Sequence, residues 1–510
     1  MRLHSILEGI RINGIAGAGL KDGAPQNPEV TGISFDSRSV AAGDLFVALK
    51  GTRTDGGGFV KEAISKGAVA VLAEGNIAAG AGDAVFVEVE DARGALARAA
   101  ANFYGNPGRK LMITGITGTN GKTTTSLLIN SALKALGLRT GLIGTIAYEI
   151  NGRKKPAPFT TPEAPLFQSM LAEMVQDGVT HLVTEVSSHA LAQKRVDAVE
   201  FNAAVFTNLT RDHLDFHKTM EDYYKAKKRL FAGLLQPGGT AAINADDPYG
   251  QRLLRELAAG NKNLIAYGID SRPVPGVAFA KASGIELSTT GTSFIIEFEG
   301  EKIGLEKEKT PLIGLHNVSN MLAAFCALVG LGFGTQEAAV KIGSLQNVPG
   351  RFEKVDLGQG FTVVIDYAHT PDALQRLIMT ARALAKGRII TVFGCGGDRD
   401  RGKRPEMGQI ATILSDFAVI TSDNPRSEDP ALIINEITSG AAGKNYAAVP
   451  DRQEAIAHAI DMALPQDIIL IAGKGHEDYQ EINGLRRHFS DREAAIAAIN
   501  AKEKGNHAQA

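Results

Sequence analysis

Residues 111–137 run LMITGITGTNGKTTTSLLINSALKALG: a short apolar strand, a glycine-rich turn, and an amphipathic helix stopped by Gly137. A strand that feeds a helix through such a turn belongs to an α/β unit, because parallel strands need a crossover between them. The alternation continues. RTGLIGTI (139–146), THLVTEVSS (180–188), FNAAVFTNLT (201–210) and GGTAAINADD (238–247) are predicted strands. TSFIIEFEGEKIGLE (292–306) alternates with period two and predicts an antiparallel insertion, followed by the helices NVSNMLAAFCALVGLG and TQEAAVKIGSL.

The pattern restarts on both sides. Upstream, LFVAL (45–49) and AVAVLAE (68–74) are predicted strands around a helix at 58–67, and a second helix covers 92–105 ahead of the NPG break at 106–108. Downstream of the turn-rich NVPGR (347–351), the predicted strands are FTVVIDY (361–367), RIITVFG (388–394), FAVITSD (417–423) and DIILIAG (467–473). Thr370 caps the first helix of this part, with Pro371 in its first position. The fold class is therefore α/β in three domains. A small N-terminal α/β domain covers 1–107, a central P-loop ATPase-type domain with a parallel sheet covers 108–346, and a C-terminal Rossmann-like domain covers 347–510. The polar end AKEKGNHAQA is expected to be disordered.

Composition excludes several classes. The net charge of −2 gives no electrostatic reason to bind nucleic acid or an anionic membrane. No stretch approaches the roughly 20 apolar residues of a membrane span, and the N-terminus has no apolar core of signal-peptide kind. Two cysteines, Cys326 and Cys395, cannot build a disulfide framework, so a cytoplasmic location is expected. Glycine is in excess, 57 residues against about 36 at average usage. Part of the excess sits in strand-end loops, at 115, 118 and 121, at 394, 396 and 397, and at 473 and 475; the run 56–58 has no reading.

The loop GITGTNGKTTT (115–125) suits a phosphate: glycines let backbone N–H groups turn inward, and the helix N-terminus adds positive charge. Lys122 supplies a charge for the β and γ phosphates and Thr123 a hydroxyl for Mg²⁺. Ile116 stands where the general pattern has glycine, and a glycine-rich turn without a ligand is the plainer alternative. Glu185 closes a strand at the sheet edge where ligands bind, a natural second Mg²⁺ ligand. In NLTRDHLDFH, His213, Asp212 and Asp215 are candidate metal ligands or surface residues. Lys227 lies within the apolar stripe Met220, Tyr223, Tyr224, Leu230, Phe231 and Leu234, whereas Lys225, Lys228 and Arg229 lie off it. Either its ammonium snorkels to water, or burial lowers its pKa so that the neutral amine takes up CO₂ as a carbamate, an oxygen ligand on a long arm. In the last domain Arg399, Arg401, Lys403, Arg404 and Arg426 bring positive charge to strand-end loops. That is either a solvated face or a site for an anionic small molecule.

Taken together, DSR…GDLFVAL, GTNGKTTT, TTPE, EVSSHAL, NLTRDHLDFH…YYKAKK, HNVSN, GRFE, DYAHTPDAL, GCGGDRDRGKRP, DNPR and AGKGHEDYQ resemble the Mur ligase family, in family order along nearly the whole chain. The likeness is narrower to the branch that adds the third amino acid of the peptidoglycan precursor. The resemblance implies an ATP-dependent amide ligase. ATP phosphorylates the γ-carboxylate of D-glutamate in UDP-N-acetylmuramoyl-L-alanyl-D-glutamate, and an amine attacks the acyl phosphate. It places Gly118, Thr119, Asn120, Gly121, Lys122, Thr123 and Thr124 around the phosphates, Asn317 at adenine, and Arg351 and Asp366 over the nucleotide. It implies Mg²⁺ on Thr123, Glu185, His213 and carbamylated Lys227. Ser37 and residues 52–54 fall at the uridine end, and Thr160, Thr161, Ser187, Gln193 and Arg195 at sugar and peptide; Phe159 stands where the family often has asparagine. Asp423, Asn424, Pro425 and Arg426 form the DNPR of enzymes that take meso-diaminopimelate, whose extra carboxylate calls for a cation. Arg399, Gly473 and Glu477 complete that pocket, Glu477 suiting the distal ammonium. A monomer is expected. The alternatives are the same reaction with L-lysine, a folylpolyglutamate synthase-like ligase, and a non-catalytic nucleotide switch. The NKxD of a GTPase is absent, NKNL (261–264) being nearest, and GCGGDR does not complete the GxGxxG of a dinucleotide dehydrogenase.

Overall fold

The computed structural model describes residues 1–16, 27–51, 55–75, 84–288, 291–305, 310, 312–343 and 348–509. Each α/β part has its own sheet. The central sheet has 11 strands. Its middle is parallel, in the spatial order Thr140–Ile143, His181–Glu185, Met112–Thr117, Phe201–Phe206, Leu235–Asn244, Asn263–Gly268 and Ala278–Ser288. These strands are apolar almost throughout because helices cover both faces. Ile113, Leu182, Phe201 and Phe206 face one core; Ile116, Val183 and Val205 face the other with Leu128, Met321 and Phe325.

The period-two segment is antiparallel, as expected, and belongs to the central sheet. Gly291–Phe298 and Glu301–Leu305 pair antiparallel with Ala278–Ser288 and extend the central sheet at one edge, while Tyr148–Ile150 and Arg153–Lys155 extend the other. The first sheet runs Ile12–Ala16, Val85–Val89, Ala70–Glu74, Asp44–Ala48, Gly32–Ser34, and is parallel except for its first pair. The last runs Glu353–Val355, Thr362–Asp366, Ile468–Ala472, Ile389–Phe393, Phe417–Ile420, Tyr446–Ala448, again parallel after one antiparallel pair. Gly56 now has a reason: a Cβ there would lie 2.6 Å from the Leu49 nitrogen.

Two local expectations are corrected. The helix predicted through 219–234 is α-helical over Met220–Arg229 and then widens into a π-helical turn, Leu230–Leu234. The polar C-terminus is not disordered over the described residues. It continues the helix Asp491–Gln509, because alanine, glutamate and lysine favour helix and the first turns are anchored. Ala495 and Ile499 are buried, and Lys502 Nζ donates to the carbonyls of Ile460, Asp461 and Ala463. The start of that helix is tied by Arg452, whose Nε and Nη2 donate to Asp491 at 2.7 and 2.8 Å with both residues buried.

Removing one partner of such a pair leaves a buried charge, so Asp491→Ala is expected to lose about 3–5 kcal/mol of stability. Guanidinium unfolding checks this; a loss below about 1 kcal/mol, the worth of an exposed pair, contradicts it.

Candidate active site

The register of the central sheet puts Glu185 level with Ile116, so the carboxylate emerges beside the glycine-rich loop. That loop is held in a shape only glycine permits. Gly118 has φ +151°, and a Cβ on it would sit 1.8 Å from Thr207 Oγ1; Gly121 has φ +87° with Asn320 Oδ1 2.4 Å from the same point. Residues 207–208 staple the loop: Thr119 N donates to Asn208 O at 2.8 Å, Asn120 N to Asn208 Oδ1 at 2.9 Å, and Thr207 Oγ1 to Asn120 O at 2.6 Å. No side chain caps the helix Lys122–Ala135 that follows, which is how a helix end receives a phosphate.

Two lysines meet at one carbonyl. Lys122 Nζ donates to Gly118 O at 3.0 Å and to Thr119 O at 2.9 Å, while Lys227 Nζ donates to the same Gly118 O at 2.7 Å. Lys227 is 1% exposed, and its ammonium lies 4.5 Å from the Tyr223 ring centroid. It does not snorkel. Burial, and then the charge of Lys122, push its pKa well below the ordinary lysine value, against Asp212. Burial likewise lowers Lys122.

Glu185 is buried and organised by two threonines. Its Oε2 accepts from Thr123 Oγ1 at 3.1 Å and Thr145 Oγ1 at 2.9 Å, and its Oε1 accepts from Thr145 N at 2.9 Å. A hydroxyl and a carboxylate side by side are hard oxygen donors and fit Mg²⁺. His213 lies in the left-handed region at φ 54°, with Nε2 3.4 Å from Asp212 Oδ2 and its ring centroid 6.1 Å from that of Tyr223. Burial lowers its pKa despite that carboxylate. Among the described residues no group of three or more His, Cys, Asp and Glu converges to hold a metal. The assembled part of the predicted metal set is thus Thr123 with Glu185, and Lys227 is here an amine donor to a carbonyl.

The last sheet closes over this loop. Arg351 Nη2 donates to Thr123 Oγ1 at 3.3 Å, its guanidinium lies 4.7 Å from the Tyr367 ring centroid, and its buried Nε has no hydrogen-bond partner among the described residues. Asn120 Nδ2 donates to Asp372 at 3.1 Å, and Arg211 to Asp400 at 3.3 Å. Asp366 accepts from the backbone N–H of Phe352 and Ala368, with its carboxyl pKa raised by burial and lowered by Arg351. A pocket between the two parts is lined by Asn120, Gly121, Thr124, Asn317, Arg351 and Asp366 together with His316 and Arg376. Asn317 Nδ2 donates to Ile313 O at 2.9 Å, and its Oδ1 accepts from Asn320.

On the other side of Glu185, Thr161 Oγ1 donates to Glu185 O at 2.8 Å and accepts from Ser187 N at 3.1 Å, and Thr160 shares a hydrogen bond with Thr145. Ser187 Oγ caps its own short helix through Ala190 N. Arg195 donates to Gln193 Oε1 and Thr161 O, pairs with Glu163 at 2.7 Å, and lies 5.6 Å from the centroid of the exposed Phe159 ring. Ser37 is in the first domain, bonded to Glu62; residues 52–54 lie outside the described residues.

In the last domain, Asn424 Nδ2 donates to Glu477 at 2.8 Å and Lys474 Nζ to Asn424 Oδ1 at 3.1 Å; burial raises the Glu477 carboxyl. Gly473, at φ +118°, packs with its Cβ position 2.6 Å from Asp423 Oδ2. Arg426 is fixed at φ 53° by a backbone bond from its N–H to Glu481 O, and Nη1 donates to Gly397 O at 2.6 Å. Pro425 precedes it, its carbonyl 1.9 Å from a Cβ built on Gly397. The expected positive edge needs correction. Arg404 is fully buried between Glu428 and Glu436, and the exposed Arg401 pairs with Glu436, so both charges are already matched within the domain. Among the described residues Arg399, Lys403 and Arg426 have no carboxylate within 4.0 Å.

Several contributors carry no individual signal. Thr145 follows a strand end, a placement that could have flagged it. Asn208, Tyr223, Asp372 and Lys474 lie within quoted motifs, but the contacts between distant segments through which they act gave them no individual role in the sequence.

A strained glycine loop with an uncapped helix, a carboxylate–hydroxyl pair and a cation-bearing domain folded over them define a nucleotide-dependent ligase site. Three family profiles match in order: the Mur ligase family catalytic domain over 29–104, the Mur ligase middle domain over 116–328, and the Mur ligase glutamate ligase domain over 350–475. UDP-N-acetylmuramoyl-L-alanyl-D-glutamate--2,6-diaminopimelate ligase of Solibacter usitatus is 47% identical over 482 residues, 94% of this chain and 95% of that one. The protein of that name from Geobacter metallireducens is 44% identical over 493 residues, 92% and 94% of the two chains. A solved structure of a ligase of that name superposes with TM-score 0.65 at 34% identity, covering 93% of this chain and 95% of the other. The chain belongs to the Mur ligase family.

A methyl group at Gly118 would collide with Thr207 and the Asn208 backbone. Gly118→Ala is expected to weaken ATP binding at least about 10²-fold, the worth of roughly 3 kcal/mol, measured by calorimetry. Binding within a factor of three of the parent contradicts the loop assignment.

Proposed function

We propose that this chain joins meso-2,6-diaminopimelate to the γ-carboxylate of D-glutamate in UDP-N-acetylmuramoyl-L-alanyl-D-glutamate, driven by ATP, as a monomer in the cytoplasm. What carries the reading is one juxtaposition: the glycine loop with Glu185 at one sheet edge, and the carboxylate-free Arg426 and Arg399 at the edge that closes over it.

Lys122 and the N–H groups of the loop bind the phosphates. Arg351 and Asp366 hold the nucleotide from the closing domain, with Asn317 at the base. The γ-carboxylate oxygen attacks the γ-phosphorus, and the electron pair of the broken P–O bond leaves on ADP. The amine nitrogen of the incoming amino acid then attacks the acyl carbon. The tetrahedral intermediate expels inorganic phosphate, and the nitrogen loses a proton to solvent. Mg²⁺ on Thr123 and Glu185 would neutralise phosphate charge when bound. Lys227 is read as the carbamate former. Its amine is buried and its pKa lowered, the state in which an amine attacks CO₂, and the carbamate would turn a misplaced cation into an oxygen ligand beside His213. Thr160, Thr161, Ser187, Gln193 and Arg195 receive sugar and peptide, with Ser37 and residues 52–54 at the uridine. Arg426 and Arg399 take the distal carboxylate that lysine lacks, and Glu477 and Asn424 take the ammonium. The folylpolyglutamate-type and switch alternatives leave the first domain and this cationic edge without a use.

Phosphate release with ATP, Mg²⁺ and the UDP-dipeptide is expected with meso-diaminopimelate and not with L-lysine; release with lysine alone contradicts the Arg426 assignment. Arg426→Ala is expected to raise KM for diaminopimelate on the order of 10²-fold, the usual cost of unpairing a buried charge. Lys227→Ala is expected to lose activity and regain part of it with added short carboxylic acids; full activity in the alanine variant removes the carbamate.

A further inference from the structure

The loop 394–404 carries four cations with different fates. Arg401 and Arg404 are spent on Glu428 and Glu436, and Arg399 is exposed at the amino-acid pocket. Lys403 remains. It is 4% exposed and opens the helix Lys403–Leu414. Among the described residues its ammonium has neither a hydrogen-bond partner nor a carboxylate oxygen within 4.0 Å. The stem is packed away from water while the ammonium itself keeps contact with solvent, so its charge is free to meet an anionic ligand.

Its surroundings show which anion. The Lys403 helix starts at the seam with the central domain: a Cβ on its N-cap, Gly402, would lie 2.3 Å from Arg211 Nη2, and Arg211 pairs with Asp400 at 3.3 Å. Lys403 acts electrostatically on Asp212 of the central domain and on His369 of its own, two residues 4.0 Å apart across that seam. Asp212 in turn acts on Lys122 and Lys227. Lys403 thus stands between the phosphate loop and the Arg399 pocket, where the amine must meet the activated carboxylate. No side chain caps its helix, so the helix end adds positive charge at the same point.

We propose that Lys403 is a catalytic residue whose ammonium contacts the transferring phosphoryl group and the acyl phosphate, from the side opposite Lys122. The assignment rests on the ligase reading above. Lys403 keeps its proton throughout. It neutralises phosphate oxygens while the carboxylate oxygen bonds to phosphorus and ADP leaves, and again while the amine bonds to carbon and phosphate leaves.

The test uses Lys403→Met and Lys403→Gln in the full chain, with the parent assayed alongside; a parent without phosphate release sinks the ligase reading instead. The expected result is kcat lower by about 10²–10³-fold, the usual loss for one preorganised charge-stabilising group. KM for ATP and for the UDP-dipeptide stays within fivefold, and the melting temperature is unchanged or higher. Acyl phosphate formed without amino acid and trapped by borohydride reduction falls in parallel. A kcat within fivefold of the parent, or trapping at the parent's rate, overturns the proposal. So does failure of both variants to fold, which would make the lysine structural.

Discussion

One backbone carbonyl organises this molecule. Gly118 O accepts from both Lys122 and Lys227 inside a loop that only glycine can form. Two amines of like charge in a dry site are unfavourable unless anions come to them. The strand Met112–Thr117 delivers one lysine through the loop, and the helix Met220–Arg229 delivers the other from more than a hundred residues away. The neighbouring sheet register brings Glu185 to the same edge. Two buried amines beside one carboxylate–hydroxyl pair suit a polyphosphate with Mg²⁺, whose negative charge offsets what burial costs them.

The second constraint is closure. Arg351 reaches Thr123, Asn120 reaches Asp372, and Arg211 reaches Asp400, so the last domain contacts the phosphate loop and the metal-side hydroxyl directly. Beside these polar contacts, Ile313 packs into the apolar core of the last domain. The polar contacts suit a domain that docks over a nucleotide and releases it, as expected where binding assembles the site. Among the described residues, the unpartnered Arg351 Nε and the unpaired Lys403 lie at this seam. Arg452, buried elsewhere in the same domain, is instead paired with Asp491 through two of its nitrogens.

Much of this was readable from sequence. The alternation of apolar runs with amphipathic helices marked the parallel cores, and the strand–GTNGKTTT–helix order located the phosphate loop, because both follow from local periodicity and backbone sterics. Lys227 betrayed itself by standing in an apolar stripe. The failures share a cause. Arg401 and Arg404 looked like part of a charged edge, but their partners Glu428 and Glu436 lie 24 or more residues away, and pairing across loops leaves no local pattern. The C-terminal helix was missed because its anchor is Arg452, 39 residues upstream. Thr145, Asp372 and Lys403 acquire meaning only when two sheet edges are set side by side.

The central claim is ligation through an acyl phosphate formed at the Gly118 loop. It is tested most directly by ¹⁸O in the γ-carboxylate of the UDP-dipeptide. Attack of that carboxylate on ATP carries one of its oxygens to phosphorus, and amide formation releases it. The account predicts one ¹⁸O in each inorganic phosphate released and the other in the amide carbonyl. Phosphate free of label would contradict it.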